Sequence, residues 1–400
     1  MGGWYRSCKV FCSLIICNLR KIVKNSIQGP NLFKRISSGI TAFLFILCVL
    51  AFYTLYKIVS FLVDRPSLPT KDFYTFGGTT TALLPVGDDV YMTVVSRTLA
   101  GVHAARSGDY TDILKISRKD FLAKRSAFER VARVKGQITV AALSHDGTTL
   151  YFFQRPPSEP GEAKKELFCG FDLKTGVISH ISEESAGVGL RLVDVDGKYL
   201  LLYWSTYAGA SLDGGRTWHT LLHAPCVTLA DGALYLVRDD ALLVLPGEAI
   251  MAGTFQEEKL RDLEPGMKID SLLVDKDHVV HLSGSRGKTG AAADKERRGL
   301  SLISLDGSPA VPFPALRVGK AYSLSELYFA HGKDIYCRMS GADTPFARET
   351  RLLQISGDAI RRSKAFEESP DLLGTLGDYL IFNVDAVWQR KSFLFGIKYT

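Results

Sequence analysis

Short apolar runs separated by turn residues fill the chain from about residue 81 to its end. The runs are rich in Val, Leu, Tyr and Phe, and the turns between them carry Asp and Gly, a pattern typical of β-strands. Amphipathic helical periodicity is scarce, and Asp120 to Val131 is the one short exception. The pattern therefore predicts an all-β domain over residues 81–400.

One pattern recurs along this domain: an apolar strand, a tight turn with Asp or Gly, and a second strand with Tyr, Phe or Val. The turns at Gly87 and Gly377 lie 290 residues apart, so six intervals give about 48 residues per repeat. The seven copies are LLPVGDDVYMTVV from Leu83, ALSHDGTTLYFF from Ala142, RLVDVDGKYLLLYW from Arg191, VTLADGALYLV from Val227, SLLVDKDHVVHLS from Ser271, LYFAHGKDIYCRMS from Leu327 and LLGTLGDYLIFNV from Leu372.

This repeat length is that of a four-stranded propeller blade, about 40–50 residues. The chain is therefore predicted to be a β-propeller in which seven blades are favoured and six or eight are the alternatives. The last hairpin is followed only by Ser392 to Thr400, so a strand near Phe73 to Phe76 is expected to complete the last blade and remove its free edge. A β-sandwich of hairpins is the competing fold, but it gives no reason for the regular spacing.

A long apolar segment, Ile36 to Val63, precedes the domain. Its first 21 residues, Ile36 to Tyr56, carry no charge, and at about 1.5 Å per residue they cross a hydrocarbon core of roughly 30 Å. The segment predicts one transmembrane signal-anchor helix at 36–63, with a basic cytoplasmic segment at 1–35 and a linker at 64–80. A buried core helix and a cleaved signal peptide are the alternatives.

The charges are divided unequally between the two parts of the chain. Residues 1–63 contain eight basic and no acidic residues, whereas the remainder contains 41 basic and 42 acidic ones. Positive residues on the cytoplasmic side predict a single-pass inner-membrane protein whose domain is periplasmic or extracellular. The balanced domain lacks the basic surface that nucleic-acid binders need, so nucleic acid is not expected as a partner.

The octapeptide SLDGGRTW, residues 211–218, has the composition of a tight turn. Asp213 can accept backbone N–H groups, and the two glycines can adopt positive φ. The octapeptide resembles the Asp-box (BNR repeat) of sialidase-like propellers, whereas ALSHDGTTLYFF resembles the repeat of TolB-type propellers. The first resemblance implies a structural turn between the outer strands of a blade, away from the central site. The matching positions are Ser211, Asp213, Gly215, Thr217 and Trp218.

The sialidase resemblance also implies glycoside cleavage by three arginines, an acid/base Asp and a Tyr–Glu pair. Arg65 and Arg155, each before a proline, are loose counterparts of the first arginine. Tyr203 and Tyr207 are candidate nucleophiles, but neither is paired with a glutamate in the sequence. The residues therefore favour a non-enzymatic protein, and the activity to test for is that of an exo-glycosidase of the sialidase type.

No metal or cofactor is predicted. The segment GSRGKTG resembles a phosphate loop, but Leu282 stands where its first glycine belongs. Ligand pairs four apart on a strand are about 13 Å from each other, too far to share one ion, and the paired aspartates fit turn chemistry. The histidine pairs considered are His219 with His223, four residues apart, and His278 with His281, three apart; the aspartate pairs are Asp194 with Asp196 and Asp275 with Asp277.

Three cysteines lie in the domain: Cys169, Cys226 and Cys337. One disulfide with a spare thiol and three buried thiols are both compatible with the sequence.

Taken together, the sequence predicts a membrane-anchored extracytoplasmic propeller that acts as a non-enzymatic protein-binding module, of the immunity or inhibitor type or an envelope assembly protein. Its expected partner is a protein of the periplasm or envelope. The alternative is a sialidase-like propeller that binds or hydrolyses glycans. Arg, Tyr and acidic side chains gathered at the central funnel of the ring would favour that alternative.

Overall fold

The computed structural model describes residues 67–96, 110–157, 166–184, 191–204, 207–222, 224, 226–286, 300–304, 311–312, 322–344, 347–357, 359–366, 368–386 and 391–399. The predicted basic segment and membrane span lie outside these residues. Within them, no helix combines the length and the apolar character needed to cross a membrane.

Twenty-eight strands of the described residues form seven four-stranded antiparallel sheets, here called blades. Blade 1 comprises β2 Gly78–Val86, β3 Asp89–Ser96, β4 Tyr110–Ser117 and β5 Glu129–Lys135. Blade 2 comprises β6 Gln137–Leu143, β7 Thr149–Arg155, β8 Glu166–Asp172 and β9 Ile178–Glu184. Blade 3 comprises β10 Arg191–Val195, β11 Tyr199–Trp204, β12 Tyr207–Ser211 and β13 His219–Leu222.

Blade 4 comprises β14 Cys226–Ala230, β15 Ala233–Arg238, β16 Ala241–Leu245 and β17 Glu258–Asp262, and blade 5 comprises β18 Met267–Val274, β19 Val280–Arg286, β20 Leu300–Ser304 and β21 Val311–Pro312. Blade 6 comprises β22 Tyr322–His331, β23 Asp334–Thr344, β24 Ala347–Ser356 and β25 Ala359–Phe366. Blade 7 comprises β26 Pro370–Leu376, β27 Tyr379–Ala386 and β28 Lys391–Lys398, together with β1 Lys71–Phe76.

The seven hairpins read from the sequence each form the first two strands of one blade. In blade 3, for example, Val195 pairs with Tyr199 across a turn in which Asp196 and Gly197 have φ of 55° and 69°. Two consecutive residues with positive φ match the right-handed twist of the flanking strands. The Asp-Gly signal therefore marked the turns because only a few residue types adopt this conformation at low cost.

The first strand of the chain completes the last blade. Strand β1 pairs antiparallel with β28, and Lys71 lies opposite Gly396. The predicted closing strand near Phe73 to Phe76 is therefore confirmed. The predicted linker at 64–80 is too long, since β1 and the start of β2 lie within it and the compact unit begins at Ser67. Two glycines at 77 and 78 made this segment look irregular, but Gly78 already begins β2.

Seven apolar clusters of buried residues fill the spaces between consecutive blades, including the space between blades 7 and 1. The cluster between blades 2 and 3, for instance, packs Phe153 and Phe168 against Leu192, Leu200 and Leu202. Sheets that share a core with both neighbours form a closed ring, and the chain is an all-β β-propeller.

In the part of the chain that the structure describes, two short helices lie in connections between the third and fourth strands of blades: α1, Arg118–Leu122, and α2, Gly247–Met251. The side chain of Ser117 accepts a hydrogen bond from the backbone N–H of Asp120 and caps α1. The predicted helix at Asp120 to Val131 is therefore wrong in extent, because β5 already begins at Glu129. Pairing with β4 overrides the local helical pattern there.

Candidate functional site

The up-and-down order of strands gives the ring two distinct faces. One face, here called the turn face, carries the connections between the first and second strands and between the third and fourth strands of each blade. The other, here called the loop face, carries the connections between second and third strands and those that lead to the next blade. The first strands of neighbouring blades lie against one another, β6 against β10 and β18 against β22 for example, so they line the interior of the ring.

A cluster of charged side chains lies in this interior, toward the loop face. Arg191 begins β10 of blade 3, Glu326 lies on β22 of blade 6, and Asp371 is the second residue of β26 in blade 7. Nη2 of Arg191 is 3.1 Å from Oε1 of Glu326, and Nη2 of Arg338 is 3.1 Å from Oε2 of the same carboxylate. Nη1 of Arg338 also lies 3.0 Å from Oδ1 of Asp371. The cluster therefore joins three blades through one continuous series of ion pairs.

Two tyrosines adjoin the cluster. Tyr203 lies directly opposite Arg191 in the pairing of β10 with β11. Tyr328, which is buried on β22, donates a hydrogen bond from its hydroxyl to the carbonyl oxygen of Pro370 at 2.6 Å. Burial, together with the nearby Glu326 carboxylate, raises the pKa of Tyr328 well above its ordinary value. Tyr328 is therefore a protonated donor that is already engaged.

Burial within the ring disfavours the ionised form of the carboxyl groups in the cluster. Burial raises the pKa of Glu326 and of Asp371, and this effect exceeds the lowering by Arg338 and Arg191. The side chain of Asp371 is nevertheless 70% exposed, whereas that of Glu326 is 23% exposed, so the effect of burial is firmer for Glu326. Keeping the Glu326 carboxylate ionised in this largely buried position costs free energy, and the neighbouring guanidinium groups offset only part of that cost.

The chemistry open to this cluster is limited by its internal pairing. Both oxygens of Glu326 contact guanidinium groups, and Arg338 also donates to Oγ of Ser369 at 2.7 Å. A guanidinium that holds the chain's own carboxylate must release it before it can bind the carboxylate of a ligand. The arrangement suits a neutral, rigid assembly better than a general acid and base with different protonation states.

The octapeptide 211–218 lies far from this cluster in the topology, on the turn face between β12 and β13, the third and fourth strands of blade 3. Oγ of Ser211 donates to Oδ1 of Asp213 at 2.8 Å and accepts from the backbone N–H of Gly215 at 2.8 Å. Asp213 also accepts from the backbone N–H groups of Arg216 and Thr217, at 3.0 and 2.9 Å. Through these hydrogen bonds, the side chains of Asp213 and Ser211 stabilise the turn.

The other side of this turn is packed into the core. Trp218 lies against Phe153 and Phe168 of blade 2, with ring centroids 5.7 and 5.4 Å away. Gly215 has φ of 90°, and a Cβ atom placed on it would lie 1.9 Å from Cε1 of Phe168. The turn therefore connects blades 2 and 3 as well as two strands. The second turn of similar composition repeats the motif, since Oδ1 of Asp146 accepts from Oγ of Ser144 at 2.6 Å.

The stability that Asp213 provides is expected to depend on pH. Burial raises the pKa of Asp213, but the hydrogen bonds from Thr217, Ser211 and Arg216 lower it by more than burial raises it. The resulting pKa is about 2. The ordinary value in an unfolded chain is about 3.9. A folded pKa below the unfolded one means that the contribution is fully present above pH ~4 and is lost as the pH falls toward ~2.

The measurement is the free energy of unfolding of the wild type and of Asp213→Asn as a function of pH. The difference between them should be largest at neutral pH and should shrink below pH ~4. A difference that stays constant over this range would show that the Asp213 carboxylate is not held by these donors.

The structure separates the other sequence candidates for catalysis. Arg155, at the end of β7, forms a short ion pair with the buried Glu166 at the start of β8, and Arg65 lies outside the described residues. Tyr207 packs into the cluster between blades 2 and 3. Of the sequence candidates that lie within the described residues, Tyr203 is the one that adjoins the charged cluster of the interior.

The His and Asp pairs serve turns. Asp275 accepts the backbone N–H groups of Asp277 and Val279, and its other oxygen lies 2.9 Å from Nε2 of His281. His278 instead faces Asp231 of the preceding blade. His223 lies outside the described residues, and in the part of the chain that the structure describes no three His, Cys, Asp or Glu side chains are grouped to hold a metal ion.

Cys169, Cys226 and Cys337 are buried free thiols in blades 2, 4 and 6. Burial raises the pKa of Cys169 to about 11 and that of Cys226 to about 12, and it also raises that of Cys337. Of the two readings of the sequence, three buried thiols is the one observed. They act as small apolar groups in the core.

The sequence patterns did not reveal the charged cluster. Its members, Arg191, Glu326, Arg338 and Asp371, are single charged residues in or at the ends of apolar strands, and up to 180 residues separate them. The sequence does show charged residues within several first and second strands of the blades. This observation can be interpreted only after the strands have been assigned to blades.

No family model matches the chain, and no curated protein matches it. Among solved structures, the β-propeller domain of the Trilobed protease from Pyrococcus furiosus is 12% identical, with 81% of this chain and 94% of that chain covered and a TM-score of 0.46. A polysaccharide lyase of family PL25, an ulvan lyase, is 8% identical, with 83% and 96% covered and a TM-score of 0.48. The GH74 xyloglucanase from Xanthomonas campestris is 12% identical, with 80% and 59% covered and a TM-score of 0.43. Such likenesses concern the fold alone.

Proposed function

We propose that the chain is a membrane-anchored extracytoplasmic β-propeller that acts as a non-enzymatic protein-binding module, of the immunity or inhibitor type or an envelope assembly factor. The observation that carries this proposal is the internal pairing of the interior cluster. Arg191 and Arg338 are both engaged by the Glu326 carboxylate, and the Tyr328 hydroxyl is engaged by a backbone carbonyl. Such groups suit a rigid scaffold, and a rigid ring that presents variable connections is a common basis for binding.

The loop face is the surface proposed for the partner. Its connections include two of thirteen residues, 97–109 between β3 and β4 and 287–299 between β19 and β20. On the turn face, the seven connections between first and second strands have five residues or fewer, and the longest connection between third and fourth strands, 246–257, has twelve, five of which form α2. The two longest connections between strands therefore lie on the loop face, and longer connections offer more surface to a partner.

The test is affinity capture with the full chain from envelope extracts, followed by direct binding to the purified candidate. Replacing Lys135 and Lys391, exposed residues at the loop-face ends of β5 and β28, with alanine is expected to weaken binding about tenfold, since charges at the edge of an interface steer association. The matched control replaces Lys198 and Lys276, in turns of the opposite face, and should bind as the wild type does. Equal loss in both variants would contradict the assignment of the loop face.

The anchored location is part of the proposal and has its own test. Ile36 to Val63 would anchor the chain, and the basic residues before it would keep the N-terminus in the cytoplasm. The test is a fusion, after Thr400, of a reporter enzyme that works only in the periplasm. This fusion is expected to show reporter activity. A reporter that works only in the cytoplasm would reverse the proposed topology.

A glycan-binding or glycoside-hydrolysing propeller is the second candidate, because Arg, Tyr and acidic side chains do gather in the interior of the ring. Arg191, Tyr203 and Glu326 are among them. Incubation of the full chain with a fluorogenic sialoside tests this candidate. Two results together would favour this function over protein binding. One is turnover of the sialoside by the wild type that is lost in Arg338→Met, and the other is failure of the chain to capture a protein.

A further inference from the structure

The Arg191–Glu326 ion pair joins blades that are not neighbours. Going round the ring from blade 3 to blade 6, two blades intervene on one side and three on the other, and each consecutive pair of blades shares a core. Both residues lie on first strands, which line the interior of the ring. A contact of 3.1 Å between them therefore has to cross this interior.

The crossing continues into a third blade. Arg338 lies on β23 of blade 6 and reaches Glu326 with one nitrogen and Asp371 of blade 7 with the other, at 3.1 and 3.0 Å. The side chains of Arg338 and Glu326 are only 18% and 23% exposed. Two long side chains that are held on both sides and largely withdrawn from water have little freedom to leave this geometry.

We propose that Arg191, Glu326, Arg338 and Asp371 form a strap across the interior of the ring that holds blade 3 in a fixed position against blades 6 and 7. Glu326 is the pivot, since each of its two oxygens binds an arginine from a different strand.

The cores between consecutive blades and the pairing of β1 with β28 hold the ring together along its circumference. The strap adds a direct link between opposite sides, so a displacement of blade 3 is transmitted to blades 6 and 7 without passing through the intervening cores. Ion pairs of this kind contribute more to fixing one arrangement than to stability, because the desolvation of the charges opposes the attraction. The strap does not depend on the proposed binding function, since it rests on contacts inside the ring.

Covalent cross-linking tests the crossing. In the full chain with Cys8, Cys12, Cys17 and Cys48 replaced by serine, the pair Arg191→Cys and Glu326→Cys is expected to react with a short bismaleimide and to give a cyclised chain that migrates faster on a denaturing gel. The control pair, Arg191→Cys with Glu258→Cys on the outer strand β17 of blade 4, should give none. A cross-link in neither pair, or in both equally, would overturn the proposal.

Hydrogen exchange in Glu326→Gln tests the mechanical role and keeps the proposal falsifiable if the double cysteine variant does not fold. Loss of the charged contacts is expected to speed exchange of the β10 amides, on the opposite side of the ring, by about tenfold or more. The control Glu258→Gln should leave β10 unchanged. Unchanged β10 exchange in a folded Glu326→Gln would show that no strap holds blade 3.

Discussion

Replacing Gly215 with alanine is expected to lower the free energy of unfolding by about 2–5 kcal/mol, which would make it one of the most damaging single changes in the chain. Two separate costs add at this position. A non-glycine residue at φ of 90° is strained, by about 1–2 kcal/mol. The new Cβ would also lie 1.9 Å from the Phe168 ring, and displacing a fully buried ring from a packed core costs about 1–3 kcal/mol more.

The neighbouring glycine offers a matched control for this prediction. Gly214 has φ of 72°, but a Cβ atom there would have nothing within 4 Å. Gly214→Ala should therefore show only the strain, about 1–2 kcal/mol. Urea denaturation followed by tryptophan fluorescence measures both variants. If the two variants lose equal stability, then the contact between the 211–218 turn and blade 2 is not as close as described.

Replacing Phe73 with alanine is expected to cost about 3–5 kcal/mol, because this side chain fixes the strand that closes the ring. Phe73 is 7% exposed, and its ring centroid lies 5.1 Å from that of Phe121 and 5.6 Å from that of Tyr379. Its removal leaves a cavity between blades 7 and 1 and weakens the hold of β1 on β28.

The control for this change lies on the same strand. Thr75 is exposed, and Thr75→Ala should change the free energy of unfolding by about 0.5 kcal/mol or less. Hydrogen exchange adds a local measurement, since amides of β1 and β28 should lose protection in Phe73→Ala before those of blade 4 do. A loss of stability as small as that of the control would mean that the ring does not depend on its closing strand.

Local signals in the sequence were enough to place the hairpins and the closing strand. A turn such as Asp196-Gly197 needs positive φ at two residues, so its composition is restricted wherever it occurs. The alternation of apolar residues on the flanking strands is equally local. The all-β propeller could be predicted from these repeats, and β1 could be predicted because the last blade lacked a strand.

The interior cluster could not be predicted, because its contacts depend on which blades face each other across the ring. Nothing near Arg191 in the sequence indicates that its partner is Glu326, 135 residues later. Polar residues on first strands also resemble ordinary solvent-facing positions. The length of the helix after Ser117 failed for a related reason, since pairing of β5 with β4 decides where strand structure resumes.

The position of β1 in the last blade also sets the order in which the molecule can be completed. Gly396, the partner of Lys71, is made 325 residues later, so β1 has no strand to pair with until β28 has been synthesised. Bringing together segments so distant in sequence is slow, because the entropy of closing the loop is lost before the contacts form. During that interval β1 presents an unpaired edge and the apolar side chain of Phe73. Until β28 has been made, the nascent chain therefore carries a strand whose free edge can pair with other chains.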